Sequence, residues 1–195
     1  MLNVLFFNAT VSPDGRYLIY GGPSFSGNAG EPPSVVTIEA DGSVSEPSPF
    51  PRTVPSHRVV ISPDNRWVAF VDTPERGGSE VWLASFPDVS SPRLIGSGNN
   101  PVWSDTGEDL YFTSEATDGS SVILQVDIDP ETGMAAGAPI EAAPLPEDTL
   151  FRVIAASPDG ERFLISSSLI PSGADRRTFL VEDWTRLLPE GMRRR

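Results

Sequence analysis

Three aspartates recur in one setting, Asp14, Asp64 and Asp159, each inside a Ser-Pro-Asp sequence. Carboxylates in pairs are what general acid–base chemistry uses. These three occupy equivalent positions of successive repeats, so they are expected in separate turns, far apart. Each is better read as a turn cap, because an aspartate can accept a hydrogen bond from the backbone two residues on. Asp127-Ile128-Asp129 has the look of half a calcium loop, but no bidentate glutamate follows at the spacing of an EF-hand. It reads instead as a strand end followed by a turn over Pro130–Gly133. A serine hydrolase would need G-x-S-x-G with a histidine and an acid. Gly22-Pro23-Ser24-Phe25-Ser26-Gly27 misses that spacing by one residue, and no helix follows it. His57 is the single histidine, which excludes two-histidine zinc motifs. The absence of cysteine excludes disulfides, thiolate metal sites and cysteine nucleophiles. The sequence therefore points to no catalytic residue, no metal and no cofactor.

The elements that carry these residues repeat. Ser12-Pro13-Asp14-Gly15, Ser62-Pro63-Asp64-Asn65, Ser104-Asp105-Thr106-Gly107 and Ser157-Pro158-Asp159-Gly160 begin 50, 42 and 53 residues apart. That is the length of one four-stranded propeller blade, roughly 40–50 residues. Proline pre-sets φ for the first central turn position. Gly15, Asn65, Gly107 and Gly160 are the residue types that tolerate a left-handed backbone. In the third copy Asp105 replaces the proline and Thr106 the aspartate, so that turn should be weaker.

After each turn comes a continuous apolar run: Leu18-Ile19-Tyr20, Val68-Ala69-Phe70, Leu110-Tyr111-Phe112 and Phe163-Leu164-Ile165. A strand that is apolar without alternation is covered on both faces, as in a blade between two other blades. A strand precedes each turn, at Ala9–Val11, Arg58–Ile61, Pro101–Trp103 and Arg152–Ala155. A third follows at Val35–Ile38, Val81–Leu83, Val122–Leu124 and Phe179–Val181, and weaker fourth strands are expected around Val44, Leu94-Ile95 and Pro139–Glu141. Asp41-Gly42 and Glu131-Thr132-Gly133 supply the hairpin turns between third and fourth strands. Trp67, Trp82 and Trp103 are expected between blades rather than as stacking platforms for a ligand.

The Ser-Pro-Asp-Gly turn with its apolar run, the strand ending in Trp103-Ser104 and the blade-length period resemble the TolB-type, WD40-like bacterial β-propeller repeat. The resemblance covers about residues 9–188. It implies an all-β propeller with four recognisable four-stranded blades, over about 2–50, 51–98, 99–147 and 148–188, in one domain of 1–195 with 189–195 as a tail. Propellers of this repeat type usually carry six or seven blades. Four therefore make either a small closed ring, in which Leu2–Phe7 pairs with the fourth unit, or part of a larger propeller. Exposed edges would otherwise pair between chains, giving a homodimer or drawing missing blades from another chain. Val181-Glu182-Asp183-Trp184 with Leu187-Leu188-Pro189 resembles the tail of propeller sensor domains fused to bacterial serine/threonine kinases.

Within such a propeller, the residues five and four positions before each repeat serine open onto one rim of the channel. They are Phe7-Asn8, His57-Arg58, Asn99-Asn100 and Arg152-Val153. His57, Arg58, Asn99, Asn100 and Arg152 form a candidate polar ring for a protein or peptide partner, since arginine can fork onto a carboxylate or a carbonyl. Loops and rims are where a fold of this kind carries binding.

Composition narrows the partner further. The chain has 27 acidic residues against 14 basic ones, all arginine, for a net charge of −13. That balance repels nucleic acid and anionic lipid. The 17 glycines and 20 prolines exceed the usual share and suit many turns between short strands. No apolar run approaches the ~18 residues of a membrane span. Met1–Phe7 lacks the basic start of a signal peptide, and the family resemblance favours a periplasmic or extracytoplasmic site. The expected function is a non-catalytic protein-binding or sensor scaffold. The alternative is an accessory propeller of a larger enzyme, either a prolyl-oligopeptidase-type peptidase or a receptor serine/threonine kinase.

Overall fold

The structure, a computed structural model, describes residues 9–21, 32–51, 58–74, 77–145, 150–157 and 162–168. All regular structure among them is β. The first sheet is β1 (Ala9–Val11), β2 (Tyr17–Tyr20), β3 (Ser34–Thr37) and β4 (Ser48–Pro49). The second is β5 (Val59–Ile61), β6 (Trp67–Asp72), β7 (Glu80–Ser85) and β8 (Arg93–Ser97). The third is β9 (Asn99–Trp103), β10 (Asp109–Glu115), β11 (Ser121–Asp127) and β12 (Ile140–Pro144). The fourth begins with β13 (Leu150–Ala156) and β14 (Phe163–Ser168). Each sheet is an antiparallel meander in chain order. The strand expected at Phe179–Val181, the pairing expected for Leu2–Phe7 and the turn residues Asp159 and Gly160 lie outside the described residues. One fourth strand sits elsewhere than expected. Val44 makes a lone bridge to Ile38, and the strand itself is Ser48–Pro49, paired with Ser34 and Val35. Proline is tolerated there because β4 is an edge strand.

The first strands β1, β5, β9 and β13 lie at one edge of their sheets and pack against one another in sequence. The sheets therefore radiate from a common centre as propeller blades, and the cores lie between blades. Consecutive side chains of a strand point to opposite faces, and the second strands use both. In β6, Val68 and Phe70 pack toward blade 1 with Ile19 and Phe50, whereas Ala69 packs toward blade 3 with Leu110 and Phe112. In β10, Leu110 and Phe112 face blade 2 and Tyr111 faces blade 4. This is why the runs after each turn are apolar without alternation.

Aromatic rings close two of the junctions edge to face. Phe50 meets Phe70 at 5.9 Å between centroids and Tyr111 meets Phe163 at 5.1 Å, the arrangement that ring quadrupoles favour. The middle junction is fastened by tryptophans instead. Trp103 Nε1 donates to the Val60 carbonyl at 3.4 Å, and Trp67 Nε1 donates to the Pro130 carbonyl at 2.8 Å. Gly133 lies so close to the Trp67 ring that a Cβ there would come within 2.4 Å of it, at a φ of 63°. Arg93 completes this clasp by donating to the Thr132 and Gly133 carbonyls at 3.0 Å. Trp82 is half-buried against the blade 1–2 core. All three tryptophans thus serve blade contacts.

The repeat turn is built around its serine. Ser12 Oγ accepts the Tyr17 N–H at 2.9 Å and donates to Asp14 Oδ1 at 2.6 Å, and that carboxylate accepts the Arg16 N–H at 3.1 Å. Blade 2 repeats the pattern through Ser62, Asp64, Arg66 and Trp67. The fourth position is left-handed in each described turn, with φ of 73° at Gly15, 60° at Asn65 and 76° at Gly107. In blade 3, Thr106 takes the place of the carboxylate and its hydroxyl makes longer contacts, 3.1 Å to Ser104 Oγ and 3.3 Å from the Glu108 N–H.

A charged acceptor makes the stronger hydrogen bond, so the serines should differ in value. Ser62→Ala strands the Trp67 N–H and also removes a partner of Asp64; about 1–3 kcal/mol is expected. Ser104→Ala should cost less, because its partner is a neutral hydroxyl. Urea unfolding of the two variants checks this, and equal losses would contradict the role assigned to the carboxylate.

Candidate functional site

The two ends of the blades differ in chemistry. At one end stand the repeat turns, and they touch. Asn65 Oδ1 accepts the Asp14 N–H across 51 residues of sequence at 3.2 Å, and Gly107 lies beside Pro63. The expectation that these turns are far apart is corrected here, because inner strands that adjoin carry their turns with them. The capping role stands, since Asp14 and Asp64 each bond within their own turn.

The predicted rim lies at the opposite end. Arg58 immediately precedes β5, and its carbonyl accepts the Val71 N–H at 3.0 Å. Asn99 and Asn100 open β9, and Arg152 lies early in β13, paired with Ser166. Because β5, β9 and β13 adjoin and run the same way along their blades, these four residues share one end of neighbouring inner strands. His57 lies outside the described residues.

Asn99 and Asn100 do not simply project from a strand start. The β9–β10 register shifts opposite Tyr111 and Thr113, and Asn100 takes a φ of 54°. Asparagine adopts that backbone more readily than most residues. The Asn100 N–H donates to Asn99 Oδ1 at 2.8 Å, Asn100 Nδ2 donates to Thr113 Oγ1 at 3.1 Å, and Thr113 Oγ1 donates to the Asn99 carbonyl at 3.0 Å. This is a bulge locked by its own side chains, and bulges re-aim strands at the rims of β structures. Gly98 permits the close approach: a Cβ there would stand 2.4 Å from the Thr113 carbonyl oxygen. The Asn99 amide nitrogen is left without a hydrogen-bond partner among the described residues.

Two carboxylates at this end were missed in the sequence. Asp72 closes β6 and is buried, and it pairs across the ladder with Glu80 of β7. Glu80 Oε2 accepts Trp82 Nε1–H at 3.1 Å. Blade 2 thus carries two acids at the same end as Arg58, and that end holds both charges. The only signal in the sequence was that the apolar run of β6 continues through Val71 into Asp72. Among the described residues, no group of three His, Cys, Asp or Glu is placed to hold a metal ion. Among the described residues, no helix is long and apolar enough to cross a membrane.

With the blades and rim in place, the fold is that of a TolB-like β-propeller. No family model and no curated protein matches the sequence. Solved structures do. A protein described as a TolB candidate from Agrobacterium tumefaciens is similar over 84% of this chain and 54% of its own, at 21% identity and a TM-score of 0.56. TolB from Acinetobacter baumannii is similar over 88% of this chain and 39% of its own, at 18% identity and a TM-score of 0.50. Prolyl oligopeptidase B from Galerina marginata is similar over 84% of this chain and 26% of its own, at 12% identity and a TM-score of 0.53. The chain therefore spans about half or less of each of these proteins. The likeness is one of fold.

The exposed turns carry a pH signature. Hydrogen bonds from Ser12 and from the Arg16 N–H hold the Asp14 carboxyl below the usual aspartate range, and bonds from the Ser120 side chain and N–H do the same for Asp118. A carboxyl whose pKa is lower in the folded chain stabilises the fold fully above its unfolded value of about 3.9. That contribution fades as the pH falls from there through the folded value. Relief of the net charge of −13 acts in the other direction, so the readout is the difference between native and variant. The thermal midpoint of Asp14→Asn/Asp118→Asn should lie below native at pH 7 and converge on it between about pH 4 and pH 2. A constant offset across that window would contradict the assignment.

Proposed function

We propose that the chain is a non-catalytic scaffold that binds a protein or peptide segment across the rim where Arg58, Asn99, Asn100 and Arg152 meet. The observation that supports this reading most is the locked Asn99–Asn100 bulge. It fixes the Asn99 amide donor, without a partner among the described residues, between two arginine positions on adjoining inner strands. Amides suit the main chain of a peptide, and arginine forks onto its carboxylates or carbonyls. Asp72 and Glu80 nearby favour a segment that carries charge of both signs over a purely acidic one. His57, outside the described residues, is a further candidate by its place before Arg58 in the sequence. A partner of this kind fits a chain whose overall charge disfavours nucleic acid and anionic membrane.

The second reading is an accessory propeller within a larger enzyme. It draws on the likeness to prolyl oligopeptidase B, of which this chain spans about a quarter, and on the kinase-sensor resemblance of Val181–Pro189. An in-frame peptidase or kinase domain in the flanking DNA would favour it; in-frame TolB-like blades would favour the scaffold.

Selection of a displayed random peptide library on the immobilised chain supplies the probe. The selected peptide should bind Arg58→Ala/Arg152→Ala at least tenfold more weakly than native. It should bind Glu131→Ala, at the opposite end of the blades, unchanged. Affinity for the double variant equal to native, or no selectable peptide, sinks the rim reading.

A further inference from the structure

We infer that Thr113 is the positioning residue of the rim: its hydroxyl holds Asn99 as a fixed hydrogen-bond donor, so the rim reads an acceptor, a carbonyl or carboxylate oxygen, on its partner at that place. The inference rests on the rim reading above and deepens it. The half-buried hydroxyl of Thr113 works in both directions. It accepts from Asn100 Nδ2 at 3.1 Å and donates to the Asn99 carbonyl at 3.0 Å. These two bonds hold the bulge in which Asn100 takes its φ of 54°. The bulge in turn carries the Asn100 N–H onto Asn99 Oδ1 at 2.8 Å. With that oxygen engaged, the Asn99 amide cannot exchange its two ends, and its N–H groups are what it has left to offer.

The repeat itself shows that a blade closes without this hydroxyl. Counted from the repeat serine, Val71 of β6 holds the place of Thr113. Its N–H donates to the Arg58 carbonyl at 3.0 Å, and β5 pairs with β6 in unbroken register. In blade 3 the register shifts at this place instead. What the threonine adds is therefore the lock on the two asparagines rather than the blade. A group held in its binding orientation before the partner arrives loses less freedom on association. A fixed donor also discriminates, because a donor brought against it is desolvated and left unpaired.

Two measurements test this, the first without a partner. NMR relaxation of the free native chain should show the Asn99 side-chain amide as ordered as the backbone around it. Thr113→Val should keep the circular dichroism of a folded chain but set that amide in motion, and Thr113→Ser, which retains the hydroxyl, should hold it still. The second measurement uses the peptide selected on the native chain. Thr113→Val and Asn99→Ala should each bind it about fivefold more weakly, the worth of one ordinary hydrogen bond, whereas Thr113→Ser should bind it as native does. Asn99→Asp should bind more weakly than Asn99→Ala, because a carboxylate oxygen then faces the partner's acceptor. Failure to select any peptide sinks the rim reading and the inference with it. With a peptide in hand, three results would overturn the inference and leave the rim reading standing: an equally ordered Asn99 amide in Thr113→Val, native affinity in that variant, or Asn99→Asp binding as well as Asn99→Ala or better.

Discussion

The fold rests on one constraint: the second strand of each blade must bury both of its faces, and its own sheet can cover neither. Alternate residues of Val68-Ala69-Phe70 serve different neighbours, so blade 2 is stable only with blade 1 on one side and blade 3 on the other. The same division holds for Leu110-Tyr111-Phe112. Stability in such an array is a sum over units and nearest-neighbour junctions. Packing at each junction comes before any property of the rim, because the inner strands that carry the rim adjoin only when the blades behind them are stacked.

That order explains which features the sequence made legible. Turn chemistry is local, so Ser-Pro-Asp-Gly announces its own geometry, and Gly15, Asn65 and Gly107 take the left-handed backbone that their types suggest. The unbroken apolar runs likewise announce two covered faces. The serine was harder to see, because its hydroxyl reaches the N–H five residues on, and nothing in the composition of a turn shows that bond. The fourth strand of blade 1 was misplaced because Ser48–Pro49 has neither an apolar face nor a full set of donors. Its place is set by pairing with β3, a tertiary matter.

The candidate site was legible as a set of positions and not as a shape. Counting back from each serine found Arg58, Asn99, Asn100 and Arg152, and the register brings them to one end of adjoining strands. The bulge at Asn99–Asn100 depends on Thr113 of the neighbouring strand, and a count along one strand cannot reveal it. Asp72 and Glu80 escaped notice for the same reason. They meet only once β6 and β7 are paired, and they add negative charge at the end of the blades where a polar ring was expected.

The division of one strand between two junctions can be tested by double-mutant cycles. Phe50 and Phe70 share the blade 1–2 core and touch edge to face. Phe70 of blade 2 and Phe112 of blade 3 belong to different cores. Urea unfolding of the Phe→Leu single and double variants should show a coupling of about 0.5–1.5 kcal/mol for the first pair. It should show additivity within about 0.5 kcal/mol for the second. Additive losses at Phe50 and Phe70, or strong coupling between Phe70 and Phe112, would contradict the account.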